Sequence, residues 1–380
     1  MRQRHRVRPA LALSCLVLAA ASPAAAQLTS GPPSGDNQKA AVVQWIGPVE
    51  VSISYSSPDV HAPDGADRRG KIWGELVPWG YATDSFGTCG NRCPWRAGAN
   101  ENTVLRVSHE VEIGGRRLAA GSYGLFMLPG QQEWTLILSR DSTSWGHYTY
   151  TEAEDALRVT LKPEKSPYHE WLTYEFTDRR PDRATVGLMW EDLAVPFTIV
   201  VPDVNEIYAA RIRQELRNFN GFDADTWRQA AEFFLDAKIH PEEALAIAQG
   251  AVSKPFTGEK TFQNMQVLAR AQAANGRTNE AAATMDEAMG LRTTTPTDIH
   301  QYGRRLQAEG KNAEALRVFE ANATRFPNEW PVNVGLARGY AAAGRNAEAL
   351  AAARAALAQA PDDLNRENLR RMIADLEQKR

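Results

Sequence analysis

The sequence predicts a multidomain chain, β first and all-α after: an antiparallel β-sandwich or jelly-roll-like domain followed by a solenoid of paired helices. Three observations carry this. Short runs of alternating apolar and polar residues fill the middle of the chain, separated by turns rich in Gly and Pro. Farther on, Gly, Glu, Ala and Pro recur at a fixed interval within helical patterning. At 380 residues the chain is also too long for one ordinary core.

Residues 1–26 read as a signal peptide. MRQRHRVR carries positive charge, ALALSCLVLAAA is the apolar run, and Ala24–Ala26 are the small residues that cleavage requires. The run is too short to span a bilayer, and no second such segment follows, so a periplasmic or secreted chain with no membrane span is expected. Cleavage would remove Cys15 and leave Cys89 and Cys93, which an oxidising compartment would join as a disulfide. A metal site on those two thiols alone would lack the second ligand pair that zinc wants. No metal or cofactor is expected.

Residues 27–39 are polar with Pro and Gly and read as a flexible lead. The β-domain is expected over 40–202. In VEVSISYS, Val49, Val51, Ile53 and Tyr55 share one face, the period of a half-buried strand. KIWGELV, TVLRVSHEVEI, SYGLFML, EWTLILS, ALRVTLK, WLTYEF, ATVGLMW and PFTIVV read as further strands. Gly114-Gly115 predicts a hairpin turn and Pro129-Gly130 another turn. The many Trp residues of this half read first as core and rim packing.

DVNEIYAARIRQELRNF predicts a connecting helix, placed over 203–221, with Asp203 and Glu206 at capping-box spacing. Residues 222–380 form the helical domain. Gly276, Gly310 and Gly344 are 34 apart, as are Glu280, Glu314 and Glu348, and Ala281, Ala315 and Ala349. Pro327 and Pro361 keep the same interval. Gly between two helices and Pro after the second, at this period, is the tetratricopeptide pattern. Leu268, Tyr302 and Leu336 fill the first-helix seam. EEAL at 242–245 reads as an earlier unit displaced by an insertion around KPFTGEK, and DDLNRENLRRMIADLEQKR as a polar terminal cap.

The β-half resembles a bacterial family, the domain of unknown function numbered 2911. The matching pieces are KIWGELVPWG, PWRAGANENT, LAAGSYGLFMLPGQQEWTLILS, Trp145-Gly146, DALRVTLKP and VGLMWED, over about residues 50–200. In that family the first two pieces are nearly continuous, whereas here YATDSFGTCGNRC intervenes. The resemblance implies export and a β-domain with repeats behind it, and brings no activity.

The most site-like stretch is GNRCPWRAGANENT. Trp95, Arg96, Asn100 and Glu101, with Trp145, are the candidate ligand-binding residues, since Arg clamps carboxylates or phosphates and Trp offers a flat face. Glu101, Glu191 and His147 are the candidate catalytic groups, two carboxylates being what glycoside hydrolysis needs. Against catalysis, G-x-S-x-G, H-E-x-x-H and P-loop motifs are all missing. A net charge of -3, with no basic stripe beyond the N-terminus, argues against nucleic acid as a partner. The expectation is an exported binding or scaffold protein: a β-domain for a small polar or saccharide ligand or a partner surface, and repeats for a protein or peptide partner. The alternative is an exported carbohydrate hydrolase.

Overall fold

The structure, a computed structural model, describes residues 37–378 apart from Pro63. The signal peptide, Cys15 and residues 27–36 of the lead lie outside the described residues. The chain divides into two compact units at the Pro202–Asp203 junction.

The first unit is built of two antiparallel sheets. The larger has six strands: β1 (Gln38–Ile46), β2 (Val49–Ser57), β3 (Thr103–Val107), β6 (Gly121–Leu128), β7 (Trp134–Ser139) and β8 (Asp155–Leu161), in that spatial order. The smaller runs β5 (Arg116–Leu118), β4 (Val111–Ile113), β10 (Arg183–Val200), β9 (Glu164–Arg179). Alternation sets which residues turn inward. Val49, Val51 and Ile53 of β2 are fully buried, as are Leu172, Leu188 and Val195 of the smaller sheet. The sheets meet where the rings of Tyr55 and Tyr174 pack edge to face, 4.9 Å apart. Gly114 and Gly115, both with positive φ, make the β4–β5 turn.

Four expectations are corrected. KIWGELV is not a strand: Gly74 takes φ +93°, its N–H bonds the Val77 carbonyl, and the Trp79 indole fills the space where a Cβ would stand. TVLRVSHEVEI is two strands in different sheets, β3 and β4. ATVGLMW and PFTIVV are one long strand, β10, which passes through register shifts beside Glu191, a non-glycine residue at φ +56°. Finally, β1 begins at Gln38, within the stretch read as flexible, because it pairs with β2 along its whole length.

Between β2 and β3 the chain makes a long excursion, residues 58–102, held by single bridges rather than by a strand: Asp59 to Trp171, Ala82 to Cys93 and Trp95 to Met127. Its Trp73 and Trp95 join Trp134 of β7 and Trp190 of β10 in one aromatic cluster, with ring centroids 5.2–6.3 Å apart.

The second unit is helical. After α1 (Val204–Glu215) come four antiparallel pairs. They are α2 (Ala224–Asp236) with α3 (Pro241–Ser253), α4 (Phe262–Ala274) with α5 (Thr278–Gly290), α6 (Pro296–Ala308) with α7 (Asn312–Arg325), and α8 (Trp330–Ala342) with α9 (Asn346–Gln359). A last helix, α10 (Asp363–Gln378), closes the stack. The repeated glycines follow the first helix of the last three pairs in the left-handed region, Gly276, Gly310 and Gly344 having φ +76°, +79° and +73°. Ala315 and Ala349 are fully buried where paired helices touch. The displaced unit is α2–α3, and KPFTGEK is the loop behind it. The capping box expected at Asp203 does not form, because the Glu206 carboxylate is turned to His240 Nε2, 2.8 Å away. Among the described residues no helix is long and apolar enough to cross a membrane.

Candidate functional site

The 58–102 excursion walls a cavity of about 550 Å³ in the β-domain, within the size range of small-molecule sites. Trp95 and Trp190 line it, with Leu76, Val77 and Pro78, and they supply its apolar surface. Arg96, Asn100, Asp84 and His147 supply polar groups. Asp59 and Arg68 line it too, but their side chains face each other at 3.5 Å.

Local backbone shape aims these groups. Ala97 and Asn100 both take positive φ, so the chain folds back on itself after Arg96. The fold-back is locked from below: the Ala97 carbonyl accepts from Tyr174 Oη at 2.9 Å and from Thr103 Oγ1 at 3.1 Å. Arg96 Nη1 donates to the Asn100 carbonyl at 2.8 Å, and the guanidinium lies over the Tyr148 ring, 5.4 Å from its centre. Among the described residues no carboxylate stands within ion-pair distance of Arg96, so its charge is balanced by no direct partner.

His147 is a half-buried ring whose Nε2 faces Asp84 Oδ2 at 3.3 Å. Burial first, then the Arg96 charge, pushes its pKa down against the pull of Asp84, so the imidazole is held neutral. Asp84 is held low chiefly by the Phe86 N–H, which donates to its carboxylate at 2.7 Å.

The cavity therefore gathers Trp95, Arg96, Asn100 and His147, and leaves three other candidates outside its walls. Glu101 pairs with Lys39 Nζ at 2.8 Å and accepts from Ser56 Oγ at 3.1 Å, and the Lys39 contact lowers its pKa. Glu191 is buried and accepts from the Gly70 N–H. Trp145 is exposed. Glu101 and Glu191 thus both lie outside the walls of this cavity, each held by a partner of its own. Two wall residues, Asp84 and Trp190, escape the sequence reading. Asp84 lies in the inserted loop with no motif around it, and Trp190 reads as core.

Cys89 and Cys93 are joined by a disulfide, S–S 2.02 Å, packed on Phe126, Ile137 and Tyr150.

The helical unit has its own concave site of about 730 Å³, along the first helices of successive repeats. His300 and Arg304 reach it from α6, Trp330 and Arg338 from α8, Arg371 and Asp375 from α10. Arg304 and Arg338 are 34 residues apart and so hold equivalent positions. Neither has an ion-pair partner among the described residues. Burial and the Arg304 charge lower the Arg338 pKa. His300 Nδ1 and Trp330 Nε1 are buried without partners among the described residues. Sequence reasoning passes over these arginines, whose only signal is their shared repeat position.

Residues 37–199 match the family described as "Protein of unknown function (DUF2911)", and residues 306–373 match the tetratricopeptide repeat. No curated protein matches the chain. Among solved structures, the chain is similar to TTC0263, a tetratricopeptide protein of Thermus thermophilus. Identity is 20%, over 46% of this chain and 91% of that one, with TM-score 0.31. It is similar also to YrrB, described as a tetratricopeptide protein with an unusual peptide-binding site, at 18% identity over 44% and 84%, TM-score 0.28. A third is MamA from Desulfovibrio magneticus, at 16% identity over 41% and 94%, TM-score 0.27. The chain thus joins a domain of the DUF2911 family to a run of tetratricopeptide repeats.

Proposed function

We propose that this is an exported binding protein whose β-domain takes a small polar ligand, an acidic saccharide or small carboxylate, and whose repeats dock a partner protein through an acidic segment. The observation that carries the reading is the Arg96 guanidinium: it forms one wall of a cavity, beside Trp95, with no carboxylate among the described residues paired to it. Arg offers a planar fork that matches a carboxylate, and Trp95 offers a face for an apolar ring. His147 and Asp84, which face each other at 3.3 Å, complete the polar side of the cavity. The charge run and apolar stretch of residues 1–26 support export. Tetratricopeptide arrays present a concave surface to proteins, and here that surface carries unpaired arginines.

The test is calorimetric titration of the full chain with acidic sugars, neutral sugars and small carboxylates. An anionic ligand should bind, and Arg96→Gln should weaken it tenfold or more, in line with about 1.5–3 kcal/mol for a hydrogen bond to a charged group. Glu101→Gln, outside the cavity, should leave affinity unchanged. A ligand whose affinity ignores Arg96 and follows Glu101 would overturn the assignment.

A further inference from the structure

The disulfide does not stand alone. A ring nitrogen of His147 and the two sulfurs all lie within 4.8 Å of one another. The inserted loop that carries the cysteines is separated in sequence from His147 by most of β3 to β7, and the fold brings them together. His147 Nε2 faces the Asp84 carboxylate, and in the neutral ring this places the proton on Nε2 and leaves a bare lone pair on Nδ1. That Nδ1 is buried and has no partner among the described residues. A buried acceptor with nothing to accept from is uncommon and asks for an explanation.

We propose that Cys89, Cys93 and His147 form a redox-gated site for a divalent ion that favours sulfur and nitrogen, such as Zn²⁺ or Co²⁺: closed as a disulfide when oxidised, open to the ion when reduced. Tetrahedral bonds of about 2.3 Å to sulfur and about 2.0 Å to nitrogen put the donor atoms about 3.5–3.8 Å apart, so the three groups need move little once the S–S bond opens. Asp84 supplies the carboxylate behind the imidazole, which fixes the ring and raises its basicity, as histidine ligands to zinc commonly require. The fourth position falls to water or to a ligand of the neighbouring cavity, whose wall includes His147 and Asp84. Cys89 lines a separate cleft with Arg92 and Tyr150, which provides a way in for a reductant.

The steps balance simply. A dithiol reductant gives two electrons and two protons to the S–S bond and itself closes to a disulfide, leaving two thiols on the protein. The ion then displaces the two thiol protons to solvent and binds the thiolates.

The experiment is Co²⁺ titration of the full chain in two states, oxidised and reduced, the reductant having been removed anaerobically. The reduced chain should take up one equivalent, with a thiolate-to-cobalt charge-transfer band and the strong visible bands of a tetrahedral ion, and the oxidised chain should give neither. Asp84→Asn should weaken the reduced site about 10–100-fold, the usual effect of losing a group behind a ligating histidine. His147→Gln should weaken it at least as much, with circular dichroism checking that the fold persists. No charge-transfer band in the reduced wild-type chain, equal uptake by the oxidised chain, or full affinity in a folded His147→Gln variant would overturn the proposal. The wild-type comparison needs no variant to fold. Its readout is metal uptake, so its failure would leave the ligand reading of the cavity as it was.

Discussion

Gly146 lies directly against the guanidinium of Arg96: a Cβ at Gly146 would stand 2.6 Å from Arg96 Nη1. The glycine also sits at φ +64°. Both facts disfavour a side chain there, and together they make Gly146 the floor on which Arg96 rests. Gly146→Ala should cost about 1–2 kcal/mol from the backbone alone and should also push Arg96 off its position. Chemical denaturation would read the first effect. Loss of anionic-ligand affinity comparable to that of Arg96→Gln would read the second, and an unshifted affinity would show that Arg96 does not depend on this contact.

The paired arginines of the repeat groove should behave as an electrostatic unit. Arg304→Glu with Arg338→Glu should weaken binding of a Glu/Asp-rich peptide by about tenfold or more, since each charge reversal replaces an attraction by a repulsion. In the unmutated chain the same affinity should fall as salt is raised, because exposed charges are screened over about 10 Å at 0.1 M. Fluorescence anisotropy with a labelled acidic peptide checks both, and a salt-independent affinity would count against an arginine-based groove.

His300 gives the helical unit a pH dependence whose sign follows from its burial. Burial, and then the charges of Arg304 and Arg338, push its pKa down to about 4. The unfolded chain, with an ordinary His near about 6.5, binds the proton more readily. Stability is therefore full above about pH 6.5, and it falls as pH drops toward about 4, by roughly 3 kcal/mol at most. Thermal unfolding between about pH 5 and 7 should show this slope, and His300→Gln should flatten it. Carboxylates titrate mainly below that window, so the comparison isolates the histidine.

Tyr174 ties the two sheets to the site. Its hydroxyl donates to the Ala97 carbonyl, and its backbone N–H donates to Tyr55 Oη at 3.3 Å. Tyr174→Phe removes the first bond while Thr103 Oγ1 continues to serve the same carbonyl, so it should cost about 1 kcal/mol in equilibrium denaturation. A loss of several kcal/mol would mean that the Ala97 fold-back collapses without it.

The repeats are the most legible part of the sequence, because one interval repeats the same physical demand: a left-handed residue between helices and a small residue where they touch. The sheets are legible where a strand alternates, as in β2, or runs continuously apolar, as in β6 and β7. They are not where burial is weak or shape is irregular. β1 is an edge strand whose burial alternates, but its exposed face carries the apolar Val43 and Trp45, so its sequence shows no clear alternation. KIWGELV has the apolar content of a strand, but Gly74 and the packed Trp79 turn it. For the site, Trp95, Arg96 and Asn100 can be picked out because they crowd together in one loop. That Asp84 and the two cysteines approach His147 is decided by how the 58–102 excursion folds over β6 and β7, and no local period encodes that.

The excursion begins and ends on neighbouring strands: β2 pairs with β3, with Ser54 opposite Val104. Its ends are therefore already together, whatever its length. In such a setting each doubling of a flexible loop adds only about 0.6 kcal/mol of closure cost. The sheet can keep its register while the exposed stretches of this segment change length, provided that packed residues such as Ile72, Trp73, Trp95 and Ala97 keep their places. The β-domain thus separates what must stay constant from what can vary within a single segment: its packed anchors hold, and new specificities can be tried in the exposed turns between them.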